Sequence, residues 1–347
     1  MIEQLMRGSG EWLAAQGPES DIVLTSRVRL ARNLADQPFA SRADEATAQA
    51  TREHILAAAR DTTQLAGALY FDLPHTPESE QQLLVERHLI SHNLLTATAG
   101  GALVKPGEAA SVMINEEDHL RITAFASGLQ LARTLEAVNE IDDALDQRLT
   151  FAFRDDWGYL TACPTNVGTG LRASVLVHLP GLILSKRINT AIKGISHLGL
   201  TVRGYYGEGT DSIGDFFQIS NQVTMGNSES DLIATITEVT QRIIKNELTA
   251  RRQLYVRQRL KLENRVWRAL GQLRSARLLP AEEAMELLSA LRLGISMGII
   301  PDIDVHLLNE VFLLIQPAHV QYYGGSEASG EQQAWLRARL VREKLAG

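Results

Sequence analysis

The feature that most constrains this chain is a change in the period of its apolar residues near residue 231. Before that point short apolar runs alternate at a spacing of two, the period of a strand with one face buried. Leu171, Ala173, Val175, Val177 and Leu179 form the clearest comb, with Arg172, Ser174 and His178 turned to its other side. Strands are also expected at Ile22 to Leu30, Ser111 to Ile114, His119 to Thr123, Leu200 to Gly204 and Phe216 to Thr224. Helices should run over Ala46 to Arg60, Gln130 to Leu145 and Arg187 to Leu198. They do not alternate regularly with the strands, so the class is α+β with an antiparallel sheet flanked by helices.

After Asp231 the spacing becomes helical, first in Leu232, Ile236, Val239 and Ile243, then in Leu262, Val266, Ala269, Leu270 and Leu273. Pro280 opens a further helix, with Glu282 and Glu283 at its positive end and Gly294 as its stop. Another runs from Asp304 to Ile315 and ends before Pro317, and a last one spans Glu331 to Leu345. The expected plan is a mixed domain over 1–255 followed by an all-α domain over 256–347.

A chain of 347 residues, 45% of them hydrophobic, can bury two cores. Its 34 Lys and Arg against 41 Asp and Glu leave a formal charge of -7. That balance argues against nucleic acid or an acidic membrane surface as partner, since both favour a basic excess. Cys163 is the single cysteine, which excludes an intrachain disulfide and suits a reducing compartment. Met1 to Gly10 includes Glu3 and Arg7 and lacks an apolar signal core, and no uncharged apolar run reaches the ~18 residues of a membrane span. A cytoplasmic location is expected.

The commonest nucleotide and metal signatures are missing: there is no Gly-x-x-x-x-Gly-Lys-Ser/Thr loop, no His-Arg-Asp with Asp-Phe-Gly, no His-Glu-x-x-His and no Cys-x-x-Cys. Arginines in extended segments are a better lead, because the guanidinium fork matches phosphate oxygens two at a time. Arg27 and Arg29 project from one face of a strand. In Asn115 to Arg121, the same period puts Glu117, His119 and Arg121 on one face and Glu116 and Asp118 on the other. Arg172 follows Gly168-Thr169-Gly170, and Arg203 precedes Gly204-Tyr205-Tyr206-Gly207-Glu208-Gly209. Any one of these arginines alone reads as a surface ion pair, and His88 or His119 alone as structural.

Together the segments resemble a known family. Thr25-Ser26-Arg27-Val28-Arg29, the Asn115 to Arg121 run, Cys163-Pro164-Thr165-Asn166-Val167-Gly168-Thr169-Gly170-Leu171-Arg172-Ala173-Ser174 and Arg203-Gly-x-x-Gly-Glu208 are similar, in order, to the four signature blocks of ATP:guanido phosphotransferases, the phosphagen kinases. Only 25 residues precede Ser26, whereas creatine and small-molecule arginine kinases carry a helical lid domain there. That difference, with helical segments such as Leu291-Arg292-Leu293-Gly294-Ile295 and Leu308-Asn309-Glu310, resembles the bacterial protein-arginine kinases of the McsB type.

The resemblance implies a glutamine-synthetase-like catalytic fold and transfer of the ATP γ-phosphoryl group, with Mg²⁺, to arginine side chains of proteins. It implies Thr25, Ser26, Arg27, Val28, Arg29, His88, Arg121, Arg172, Ala173, Ser174, Val175, Leu176, Arg203, Gly204, Tyr205, Tyr206, Gly207 and Glu208 around ATP, with no protein metal ligands. Glu117 and Glu208 would clamp and deprotonate the acceptor, and Cys163 would tune its electrostatics. Protein substrates with an exposed arginine, a zinc-binding activator protein, a Clp ATPase and a second copy in a homodimer are the implied partners, in proteolysis under stress. The family's phosphoarginine-reading motif, Arg-Asp-x-x-Arg-Ala, falls on Gln333 to Ala338 and keeps only Arg337 and Ala338. A kinase for free arginine or another small guanidino compound is the nearest rival, and an inactive phosphoarginine-binding adaptor the rival of another class.

Overall fold

The computed structural model describes the chain except residues 197, 206–211, 326–327, 329 and 347. The strands are β1 (Val23–Arg32), β2 (Leu69–Asp72), β3 (Gly101–Val104), β4 (Ala110–Ile114), β5 (Leu120–Ser127), β6 (Phe153–Arg154), β7 (Gly158–Tyr159), β8 (Leu171–His178), β9 (Leu200–Gly204) and β10 (Phe216–Asn221). The helices are α1 (Ile2–Met6), α2 (Glu45–Arg60), α3 (Glu78–Glu86), α4 (Leu131–Asp146), α5 (Pro180–Leu184), α6 (Ile188–Ser196), α7 (Glu229–Ser275), α8 (Ala281–Ser296), α9 (Val305–Leu314), α10 (Pro317–Gly324) and α11 (Glu331–Ala346). Eight strands form one sheet in the order β2-β3-β4-β5-β1-β8-β10-β9, and every neighbouring pair is antiparallel. β6 and β7 make a separate hairpin.

The period-two combs decide which way the sheet faces. Val28, Leu30, Ile122, Ala124, Ala173, Val175 and Ile219 are buried on one side against Ile55 of α2, Val138 and Ile141 of α4, and Ile236 and Ile243 of α7. Truncating one such side chain, Ile122→Ala for instance, should cost about 2–5 kcal/mol, because lost transfer energy adds to a cavity. The opposite face is covered only towards its flanks. Phe125 joins Trp12, Phe71 and Leu313 on one flank, while Leu176 and Phe216 join Leu270, Leu288 and Phe312 on the other. Between these clusters the face carries polar side chains.

Several expectations need correcting. Asn115 to His119 is a bend rather than a strand, with Asn115 at φ +56, so the alternation read across Glu116, Glu117 and Asp118 does not hold. The two helical patterns after Asp231 fall in two helical segments that follow one another without a loop as α7, joined at a kink at Gln258 (φ -140, ψ 35). Ser228 caps its start, accepting from Asp231 N at 3.1 Å. Gly294 does not stop α8; it lies inside the helix, where an added Cβ would come within 2.1 Å of Val266 Cγ1 on α7. β10 ends at Asn221, short of Thr224, and Pro317 starts α10 where only an ending was expected. Two sheet strands, β2 and β3, and helix α3 went unpredicted because their apolar runs are four or fewer residues long or lack a clean period.

Candidate active site

Strand register brings the separated arginines together. Cα partners across antiparallel strands share a face. Arg27 pairs with Phe125 and Ser174, Arg29 with Thr123 and Arg172, and Ala31 with Arg121. Ser174 pairs in turn with Ser220, Leu176 with Gln218, and Gln218 with Arg203. Arg27, Arg29, Arg121, Arg172 and Arg203 therefore all project from the face left open between the two apolar flanks.

Their electrostatics bear this out. Burial, and then Tyr205 against Arg121 and Arg172, set the balance at Arg27, which is pushed down to about 10. Arg29 is held well below the ordinary guanidinium range by burial and by Arg121, Arg27 and Arg172. Arg172 is lowered by burial and by Arg203 and Arg121, while Cys163 acts in the opposite sense. Like charges crowd this surface, and Arg27 Nε is buried without a hydrogen-bond partner. Such a cluster is unfavourable alone and favourable around a polyanion.

Two carboxylates meet it. Arg121 forms ion pairs with both Glu116 and Glu117, which the bend allows and a strand would not. The Glu116 side chain is fully buried, accepting from Ser91 Oγ at 2.7 Å and Glu117 N at 2.9 Å, whereas the Glu117 side chain is 38% exposed. Glu117 is thus the carboxylate that an incoming molecule can reach. His119 is buried elsewhere, its Nδ1 accepting from Leu34 N at 3.0 Å, and plays no part in the cluster.

Thr25, Arg27, Ser174 and Leu176 line a small cavity of about 110 Å³ with His88, Tyr205, Trp12, Phe125 and Gln218. The Tyr205 hydroxyl contacts His88 Nε2, and burial with the Arg27 charge pushes the His88 imidazole down to about 3, so it is neutral. Trp12 packs edge-on to His88 with ring centroids 5.7 Å apart. Trp12, Phe125 and Gln218 escaped the sequence reading; Trp12 lies in a short irregular segment, and nothing in its spacing signals a site. A larger groove, of about 520 Å³ and lined by Lys261, Arg265 and Glu286, lies on α7 and α8 and includes none of the residues of this cavity.

Not every expected ligand residue faces this surface. Val28, Ala173 and Val175 are buried in the helix-covered core, and Ser26 Oγ donates to Gly128 O at 2.7 Å and accepts from Gln130 N. Their side chains hold the strands in register instead of lining the cleft. Gly204 ends β9 beside Tyr205, while Tyr206, Gly207 and Glu208 lie outside the described residues. Cys163 is half-buried, its Sγ 3.0 Å from Thr165 Oγ1. Arg337 is buried at 3% exposure, donating to Ile315 O at 2.7 Å and Leu279 O at 3.0 Å, so two of its donors already close backbone ends.

An antiparallel sheet whose open face gathers guanidinium groups beside a reachable carboxylate defines a class of protein built to hold phosphate next to a cationic acceptor. The comparisons agree. Residues 50–250 match the model of the ATP:guanido phosphotransferase C-terminal catalytic domain, and residues 258–347 that of the protein-arginine kinase McsB C-terminal domain. A protein-arginine kinase of Halothermothrix orenii is 46% identical over 96% of each chain, and one of Symbiobacterium thermophilum 44% identical over 99% of each. That of Bacillus subtilis is 42% identical over 96% of this chain and 93% of its own. Among solved structures, the duplicated taurocyamine kinase of Schistosoma mansoni, with bound transition-state-analogue components, superposes with a TM-score of 0.60 at 27% identity. The match covers 67% of this chain and 34% of that one. Lombricine kinase, at 22% identity over 68% of each chain and a TM-score of 0.58, shares the fold. This chain belongs to the protein-arginine kinase family of ATP:guanido phosphotransferases.

Proposed function

We propose that this protein phosphorylates arginine side chains of other proteins at the expense of ATP. The observation that carries the reading is the convergence of Arg27, Arg29, Arg121, Arg172 and Arg203 on one sheet face next to Glu117. The phosphates of ATP would settle on the guanidinium cluster, which the small cavity around His88 and Trp12 adjoins through Arg27. Phosphoryl transfer depends mostly on positioning and charge stabilisation, so each bidentate guanidinium should supply on the order of 2–4 kcal/mol at the transition state. Among the described residues no group of three or more His, Cys, Asp or Glu could hold a metal ion. A Mg²⁺ bound with ATP would be held chiefly by phosphate oxygens and water, because it dehydrates reluctantly, and the chemistry it would supply is neutralisation of phosphate charge.

The acceptor guanidinium, with a pKa above ~12, is not nucleophilic until it loses a proton. Glu117 is the side chain assigned to take it, with Glu208 as its partner in holding the planar cation. Glu117 is paired with Arg121. Phosphate competing for Arg121 would free Glu117 for the acceptor, which makes nucleotide binding favour acceptor binding. Cys163, whose charge acts on Arg172, would tune the electrostatics of that side.

The finer parts of the reading rest on the relatives' names and on family resemblance. These are a protein-borne acceptor rather than free arginine, marking for Clp-type proteolysis, a zinc-binding activator protein and a homodimer. A division at residue 255 or 256, inside α7 and close to the distortion at Gln258, is our proposed domain boundary. The test is mass spectrometry, kept away from acid, of a protein mixture incubated with this protein and MgATP. Phosphoarginine on protein is the expected result. Phosphorylation of free L-arginine alone would replace the reading by that of a small-molecule kinase, and no transfer at all would leave a binding adaptor.

A further inference from the structure

A bend and a loop meet beside the end of β1. The bend at 115–119 carries Glu117, and the loop between β7 and β8 carries Cys163. Neither is part of the sheet ladder, yet both are tied to Asn33, just past the end of β1, and the loop is tied also to Arg32, the last residue of β1; Arg32 and Asn33 are each 1% exposed. Asn33 Nδ2 donates to Asp118 Oδ1 at 2.7 Å and to Leu160 O at 3.1 Å, and Asn33 Oδ1 accepts from His119 N at 2.9 Å. Asp118 Oδ1 also accepts from Ala162 N at 2.7 Å, closing a ring of bonds between the residue after Glu117 and the residue before Cys163.

Arg32 fastens the far end of the loop. It points away from the arginine face, with Nε and Nη2 donating to Asp142 Oδ2 of α4 at 3.1 and 2.7 Å. Nη1 donates to Thr169 O at 2.9 Å, and the guanidinium lies 3.5 Å from the centre of the Tyr159 ring. Tyr159 is in turn bridged to Gly168, its N donating to Gly168 O at 2.8 Å. Gly170, at φ +67, packs so closely that a Cβ there would come within 2.6 Å of Ala31 O and 2.7 Å of Arg32 Nη1. A buried guanidinium so fully engaged is costly to disturb, and it fixes backbone, not ligand.

We propose that Arg32 and Asn33 are positioning residues that set the separation of Glu117 from the Cys163 loop, and thereby the fit of the acceptor guanidinium, while leaving the nucleotide side alone. The acceptor part of this inference rests on the function proposed above; the clamp itself does not. Small displacements at a site that works by alignment are expensive, about a hundredfold in rate for an ångström.

Arg32→Lys keeps the charge and loses the fork; Asn33→Ala removes both polar atoms. For each folded variant, three quantities would be measured against wild type: the dissociation constant for MgATP, the KM and kcat for a protein acceptor, and the rate at which iodoacetamide alkylates Cys163, well below the melting midpoint. Because Cys163 is the only thiol in the chain, that rate reports on its loop alone. The expected result is MgATP affinity within about twofold of wild type, acceptor kcat/KM down tenfold or more, and alkylation accelerated severalfold. The clamp is overturned by wild-type alkylation and acceptor KM in both folded variants, or by a loss of MgATP affinity that parallels the loss of turnover. If the wild-type protein transfers no phosphate to arginine, the proposed function fails, and the alkylation and MgATP arms still decide the clamp. Should Asn33→Ala not fold, Arg32→Lys carries the same three readings.

Discussion

At the scale of single residues, the site is a balance between groups that are uncomfortable without a ligand. Arg29 shares its surface with four other guanidinium groups and is held well below its ordinary range by burial and by the charge of three of them, Arg121, Arg27 and Arg172. Arg29→Met should therefore raise the melting temperature of the ligand-free protein while abolishing the further rise that MgATP gives the wild type, the trade of stability for function expected at a strained site. Thermal melts of both proteins with and without MgATP check this, and an Arg29→Met protein that MgATP still stabilises normally would remove Arg29 from the nucleotide site. Glu117→Gln keeps the shape of the side chain but cannot accept a proton or pair with Arg121 as an anion. It should lower kcat by at least ~10²-fold, the usual share of a general base, with MgATP affinity unchanged or improved. Undiminished turnover would transfer the base to another residue. The five arginines were legible because period two survives in β1, β5, β8 and β9. Glu116 was misread because the bend at 115–119 breaks that period one residue before the strand begins. Trp12, Asn33 and the engagement of Arg32 were illegible, since each acts through partners tens of residues away in sequence.

At the scale of elements, the helices of the last third were legible by period but not by extent. Nothing at the sequence level joins the pattern ending at Ile243 to the one starting at Leu262, because the intervening stretch exposes Val256 and Leu260 and buries little between Arg251 and Leu262. Gly294 illustrates why a residue's propensity misleads when packing decides. As a helix breaker it reads as a stop, but its use is close approach: α8 meets Val266 of α7 where any side chain would collide. Gly294→Ala should destabilise the protein by roughly 1–3 kcal/mol through overpacking, despite the better helix propensity of alanine. Val266→Ala in the same chain should return part of that loss by vacating the contested space, a coupling that a double-mutant cycle in denaturant measures. Additive effects of the two substitutions would show that the helices separate freely and that the approach is incidental.

At the scale of the whole molecule, the apolar flanks that frame the cleft also enclose imidazoles. His88, His119, His178 and His319 are all lowered from their ordinary value, burial being the largest cause in each, and His88 lies at about 3. A free imidazole in the unfolded chain binds its proton near pH 6.5. Below that value the unfolded state holds more protons than the folded one, so stability falls as pH falls. The contribution is complete above about pH 6.5 and is lost progressively towards about 3 for His88. Glu108, Asp142 and Asp215, raised by burial, work in the opposite sense, since the folded state takes up their protons first as the solution is acidified. Their ordinary values lie near 4, so between pH 6.5 and 5 the imidazoles should dominate. Denaturant unfolding at pH 7, 6 and 5 should show stability falling by up to about 1.4 kcal/mol per pH unit for each imidazole that remains neutral when folded. His178 is the cleanest single test, because it is fully buried with Nδ1 lacking a partner and Nε2 2.9 Å from Ser289 Oγ, at the opposite end of β8 from Arg172. His178→Gln should flatten the slope by one imidazole's share. A slope that is zero or rises towards acid in the wild type, or that is unchanged in His178→Gln, would mean that these rings are protonated inside the fold and that burial does not govern them.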